Sequence, residues 1–89
     1  MTRVRIRYTG RVQGVGFRAT AAHIAGGFEV TGWVRNEADG GVLLEVQGDS
    51  GEVAGFREAL RQRMRHNIER EDADDVAEAG DEAGFEVRR

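Results

Sequence analysis

Along this chain the spacing of apolar residues switches between a period of two and a period of 3.6 in a set order, and that order restricts the fold more than any other feature. Val4, Ile6 and Tyr8 alternate with Arg3, Arg5, Arg7 and Thr9, the pattern of a half-buried strand. Gly10 to Gly16 holds three glycines in seven residues and reads as a loop. Phe17, Ala21, Ile24, Ala25 and Phe28 then recur at helical spacing, and Gly26 and Gly27 mark the helix end. Val30, Gly32 and Val34 alternate with Thr31, Trp33 and Arg35. After Asp39-Gly40-Gly41, Val42, Leu44 and Val46 alternate again, which predicts two strands joined in a hairpin. Asp49 with Glu52 has the form of a capping box, opening a helix whose apolar stripe is Val53, Phe56, Leu60 and Met64 and which only Gly55 weakens. Beyond Arg65 the pattern thins to a weak strand, a loop and a short terminal strand around Phe85 and Val87.

Strand, helix, strand, strand, helix, strand is the order of an α+β, ferredoxin-like split βαβ sandwich (βαββαβ), an antiparallel sheet with two helices on one face. The other face is then open to solvent, with Arg3, Arg5 and Arg7 standing on it. Eighty-nine residues fit one domain spanning 1–89. The apolar runs fall far short of the roughly 20 residues that cross a bilayer. With no cysteine there is no disulfide framework, thiolate zinc site or cysteine nucleophile, and with no secretory-type leader the expected location is the cytoplasm. No apolar surface strand is evident, and the expectation is a monomer.

Charge is unevenly spread. Residues 1–36 carry six arginines against one acid, +5, and residues 37–89 carry seven arginines against fifteen acids, −8, so an anion belongs at the first part of the chain. Residues 69–82 hold eight of the sixteen acids, the composition of a solvated loop and also of a surface adapted to high salt.

The segment GRVQGVGFR, residues 10–18, joins a strand to a helix. Glycines there let consecutive backbone N–H groups turn inward as an anion-binding nest, with phosphate the natural guest. Gly14 and Gly16 permit positive φ angles, and Arg18 can add a bidentate fork to the same oxyanion. The same loop is also compatible with a plain turn. GxxxxGK[ST] is absent, and GVGFRA lacks the third glycine of a dinucleotide fingerprint. GWVRN, residues 32–36, ends in Asn36, which serves either as a turn former or as an amide that holds a water molecule by donating and accepting at once.

GRVQGVGFR followed by GWVRN, with Arg18 and Gly32 fourteen residues apart, resembles the acylphosphatase family. The resemblance covers residues 3–64, including the Asp39-Gly40-Gly41 hairpin and the pair Gln47-Gly48. It implies hydrolysis of the carboxyl-phosphate bond of small acyl phosphates to carboxylate and inorganic phosphate, with no metal and no cofactor. By the same likeness Arg18 binds phosphate as the catalytic arginine and Asn36 orients the attacking water. Backbone amides of Gln13, Gly14, Val15, Gly16, Phe17 and Arg18 bind the phosphoryl oxygens. The family's fourth strand is regularly apolar, whereas Arg65 to Val76 is polar here, which leaves residues 66–84 between a regular strand and a mobile acidic loop.

Phosphoryl transfer with a carboxylate leaving group asks the protein for position and charge stabilisation, and a general base is not obligatory. The first 28 residues contain no acid, so the proton acceptor is expected to be the substrate phosphate itself. His23 lies five residues past Arg18, about 500° around a helix, and points away. His66 reads as solvated surface, and neither histidine has a companion at metal-ligand spacing. A rival reading is a nucleic-acid module that stacks bases on open-face aromatics, with Trp33 and Arg35 joining Arg3, Arg5 and Arg7. The negative net charge and the lack of paired aromatic motifs speak against it. On the remaining reading the arginines form a solvent-facing ladder paired to Glu45 and Glu86.

Overall fold

The computed structural model describes residues 1–89. The chain runs β1 (Thr2–Gly10), α1 (Phe17–Ala25), β2 (Val30–Asn36), β3 (Val42–Gly48), α2 (Ser50–Arg63), β4 (Ile68–Asp75) and β5 (Phe85–Arg88). The strands form one sheet in the order β4-β1-β3-β2-β5. The ferredoxin-like α+β expectation holds, with one correction: β5 runs parallel to β2, so the sheet is mixed rather than antiparallel. The cause is topological. β4 and β5 are neighbours in sequence but occupy opposite edges, so residues 76–84 cross the whole sheet, roughly 20 Å at about 4.8 Å per strand spacing.

Val4, Ile6 and Tyr8 of β1, Val34 of β2, and Val42, Leu44 and Val46 of β3 share one face. They form the core with Phe17, Ala21 and Ala25 of α1 and with Val53, Phe56, Leu60 and Met64 of the second helical segment. Full burial of a side chain such as Phe56 contributes about 1.5–3 kcal/mol. Gly55 proves to be a packing device. A Cβ there would lie 2.7 Å from Phe28 Cε1, so the missing side chain lets the Phe28 ring pack directly on α2. The capping box does not close. Asp49 is the N-cap but its side chain makes no capping bond, and Glu52 Oε1 instead accepts the Glu29 N–H at 2.7 Å, a donor brought alongside by the connection from α1 to β2.

The outer face is open only in part: residues 76–84 are strapped across the end that carries Arg3 and Gln47, while the side chains of Arg5 and Arg7 stay 51% and 41% exposed, as expected. Arg3 is only 5% exposed. Its Nε donates to Glu45 Oε1 at 2.6 Å, and its two terminal nitrogens donate to Glu82 at 2.7 and 3.1 Å. Gln47 clasps Ala79 by both backbone groups, accepting its N–H at 2.7 Å and donating to its carbonyl at 3.0 Å. The Gly32 N–H donates to Gly84 O, and the Val76 N–H to Arg3 O, both at 3.0 Å. Burial opposes ionisation of Glu45, but hydrogen bonds from Arg3 and Arg5 outweigh it and hold its carboxyl below the usual range. The hydrogen bond from Arg3 does the same for Glu82.

The arginine ladder is therefore only partly as expected. Glu45 does serve Arg3 and Arg5, at 2.6 Å each. Glu86 does not reach β1, because β5 lies beyond β2, and it faces Arg88 at 3.5 Å. Trp33 is buried, with the Arg35 and Arg88 guanidinium carbons 5.1 and 4.7 Å from its ring centroid, so it offers no open surface for base stacking. Of the two forms that the sequence left open for residues 66–84, the strand is the one found, followed by a segment held to the sheet by Arg3 and Gln47. Ile68–Asp75 is a regular edge strand along β1, anchored by Glu71, which accepts from Arg57 and Arg61 of α2, and 76–84 is the crossing segment.

Candidate active site

Residues 11–16 join β1 to α1. Gly14 and Gly16 both sit at φ +76°, where a side chain is strained, although a Cβ at either would meet nothing within 4 Å. Backbone angle, not space, requires glycine there. The N–H groups of Gly14, Val15, Gly16, Phe17 and Arg18 donate to no backbone carbonyl, whereas the Thr20 N–H bonds Gly16 O at 2.9 Å. The loop is pinned from outside. Gln13 Nε2 donates to Glu37 O at 2.7 Å and Gly41 O at 2.8 Å, tying the loop to the β2–β3 turn beside Asn36. Phe17 is buried with its ring 4.9 Å from that of Tyr8, fixing the start of α1 against β1.

A cleft of about 250 Å³ opens beside this loop. Of the residues singled out from sequence, Gly14, Gly16, Phe17, Arg18 and Asn36 line it together. Gln13 and Val15 do not: the Gln13 side chain is spent on the hairpin, and Val15 faces solvent. Val12, Ala19, Val87 and Arg89 complete the wall and were not anticipated. For Val87 and Arg89 no local signal exists, since only the parallel pairing of β5 with β2, which sets Val87 against Val34 and Arg88 against Arg35, brings this end of the chain to the cleft.

Arg18 has no carboxylate partner. Its Nη1 donates to the Arg88 carbonyl at 2.9 Å, which fixes the guanidinium at the cleft wall while leaving its charge uncompensated. Asn36 Oδ1 is buried and has no hydrogen-bond partner in the protein. Such an atom costs about 1–3 kcal/mol, and groups held at this cost cluster where a ligand completes them. No acid and no histidine lines the cleft. His23 is exposed on α1, and His66 is exposed and accepts from Arg65 at 3.3 Å. One cleft is thus lined by loop residues whose N–H groups have no backbone acceptor, by one fixed cation and by one carboxamide, groups able to serve a tetrahedral oxyanion.

The family model described as acylphosphatase matches residues 4–87. The chain belongs to the acylphosphatase family. An acylphosphatase of Salinibacter ruber is 47% identical over 90 residues, covering 98% of this chain and 93% of its relative. One from Clostridium acetobutylicum is 36% identical over 88 residues, covering 98% and 97%. The crystal structure of acylphosphatase from Bacillus subtilis superimposes with a TM-score of 0.88 at 26% identity, over 100% of both chains. The same fold matches T. kodakarensis HypF with a TM-score of 0.86 at 27% identity, there over 12% of a longer chain. Acylphosphatase membership makes this an enzyme, a hydrolase of acid anhydrides whose substrates are small acyl phosphates. No helix is long and apolar enough to cross a membrane.

Proposed function

We propose that the chain hydrolyses acyl phosphates without a metal, with the phosphoryl group held by the loop amides of residues 13–18 and by Arg18, and the attacking water aimed by Asn36. The supporting observation is that the uncompensated Arg18 guanidinium, the unpartnered Asn36 carboxamide and the residues Gly14, Gly16 and Phe17, whose N–H groups have no backbone acceptor, line one cleft.

In this mechanism the phosphoryl oxygens accept from the loop N–H groups and the arginine fork, which stabilise the charge as it spreads in the transition state. Water held by the Asn36 carboxamide attacks phosphorus in line. The bond from phosphorus to the acyl oxygen breaks, and the carboxylate leaves with the electron pair. The proton lost by the water passes to a phosphoryl oxygen, giving carboxylate and dihydrogen phosphate. The cleft wall contributes hydrogen-bond donors and orientation rather than a base. The 89 residues act as one domain and as a monomer.

The test is phosphate release from benzoyl phosphate in the presence of excess chelator, followed from pH 5 to 7. Undiminished turnover with a flat profile is expected. Loss of activity on chelation overturns the metal-free step, and an inflection near the roughly 6.5 of a histidine overturns the base-free one.

A further inference from the structure

Eight of the chain's arginines are matched to carboxylates within 4 Å: Arg3, Arg5, Arg7, Arg35, Arg57, Arg61, Arg70 and Arg88. Two of the unmatched ones, Arg18 and Arg89, line the same cleft. On the function proposed above, a single phosphoryl group is already served by the loop amides and by Arg18. Val12 being buried, the acyl part of the substrate then lies along the exposed rest of the wall, formed by Ala19, Val87 and Arg89. Ala19 and Val87 give that path an apolar surface, and Val87 is 44% exposed, so the path opens outward. Arg89 is exposed and forms no ion pair.

We infer that Arg89 is a specificity-determining residue, which selects acyl phosphates carrying a second anionic group on the acyl chain. An unpaired guanidinium beside an apolar path discriminates by charge at the far end of a ligand while leaving the reacting end to the loop. The inference rests on the acylphosphatase reading of the cleft and adds a preference within it. Because the site is open to solvent, the preference is modest and depends on salt.

Two substrates test it, benzoyl phosphate and 4-carboxybenzoyl phosphate, whose para carboxylate cannot reach back to the acyl carbon. The quantity read is the ratio of kcat/KM for the charged to the neutral substrate, so that differences in intrinsic reactivity cancel between variants. Arg89→Gln is expected to lower this ratio by about three- to fivefold, through KM, at low ionic strength. Arg89→Lys should retain most of the preference, and 0.5 M salt should erase it in the unaltered protein. A ratio unchanged by Arg89→Gln, or changed equally by Arg89→Lys, overturns the assignment. Failure of the unaltered protein to hydrolyse benzoyl phosphate overturns instead the function on which it rests.

Discussion

Arg18 Nη1 donates to the carbonyl oxygen of Arg88 at 2.9 Å, a link between the first helix and the last strand. One terminal nitrogen of the fork is thereby held by backbone, and the remaining N–H groups are aimed by that anchor. Arg18→Ala should lower kcat/KM by on the order of 10²-fold or more. Arg18→Lys should be nearly as damaging, because an ammonium cannot bond the carbonyl and present a planar fork at once. Steady-state kinetics with benzoyl phosphate check this, and a lysine variant with near-normal turnover would remove the fork from the mechanism.

Asn36→Ala should separate turnover from binding. We expect kcat to fall by about 10²-fold through loss of the aimed water, while inhibition by inorganic phosphate changes less than about twofold. Its Tm should not fall, since the substitution removes a buried oxygen that has no partner. Weakened phosphate inhibition with spared kcat would reverse the roles assigned to Asn36 and the loop.

The strap across the outer face makes stability depend on pH. Glu45 and Glu82 are both held below the usual carboxylate range in the folded chain. Their contribution is complete above the unfolded value near 4.3 and is lost as pH falls through the lower folded values. Arg3→Met should cost about 2–4 kcal/mol at pH 7, because it leaves Glu82 without its main partner in a partly buried site. The Tm difference from the unaltered protein should shrink as pH drops from about 5 to 3. A constant difference would mean that packing of the arginine stem carries the effect.

Tyr8 is fully buried and its hydroxyl has no hydrogen-bond partner. Burial also pushes its phenol well above the ordinary value. Tyr8→Phe should therefore be neutral or stabilising by about 1 kcal/mol in denaturant titration, since an unsatisfied polar group is removed and the ring contact with Phe17 is kept.

Gly55→Ala sets helix propensity against packing. Propensity alone favours alanine by about 1 kcal/mol in a helix interior. The added methyl would meet Phe28 Cε1 at 2.7 Å, so the ring must move and the protein should lose rather than gain stability. Combining it with Phe28→Leu should recover part of the loss, and a simple gain from Gly55→Ala would show that the ring yields freely.

The parts legible in the sequence were those governed by local rules. Alternation along Val4 to Tyr8 and Val42 to Val46, and the stripe from Val53 to Met64, gave the core face of each element. The glycine loop announced its positive φ angles at Gly14 and Gly16. What was hidden depends on contacts between distant segments. The burial of Arg3, the clasp of Gln47 on Ala79 and the arrival of Val87 and Arg89 at the cleft all follow from the crossing of residues 76–84. That stretch is made of small residues and three acids, with Val76 its one larger apolar side chain, so neither hydrophobic period marks it. Gly55 misled for a related reason, since its use lies in a ring on another segment.

The crossing segment also sets the phase of the final strand. Successive residues of a strand face opposite ways, so one residue inserted into or deleted from 76–84, if taken up by sliding β5, would turn Phe85 outward and carry the Arg88 carbonyl off Arg18. A stretch with no regular structure thus sets which side chains of the last strand meet the core whenever a change in its length is passed on to β5.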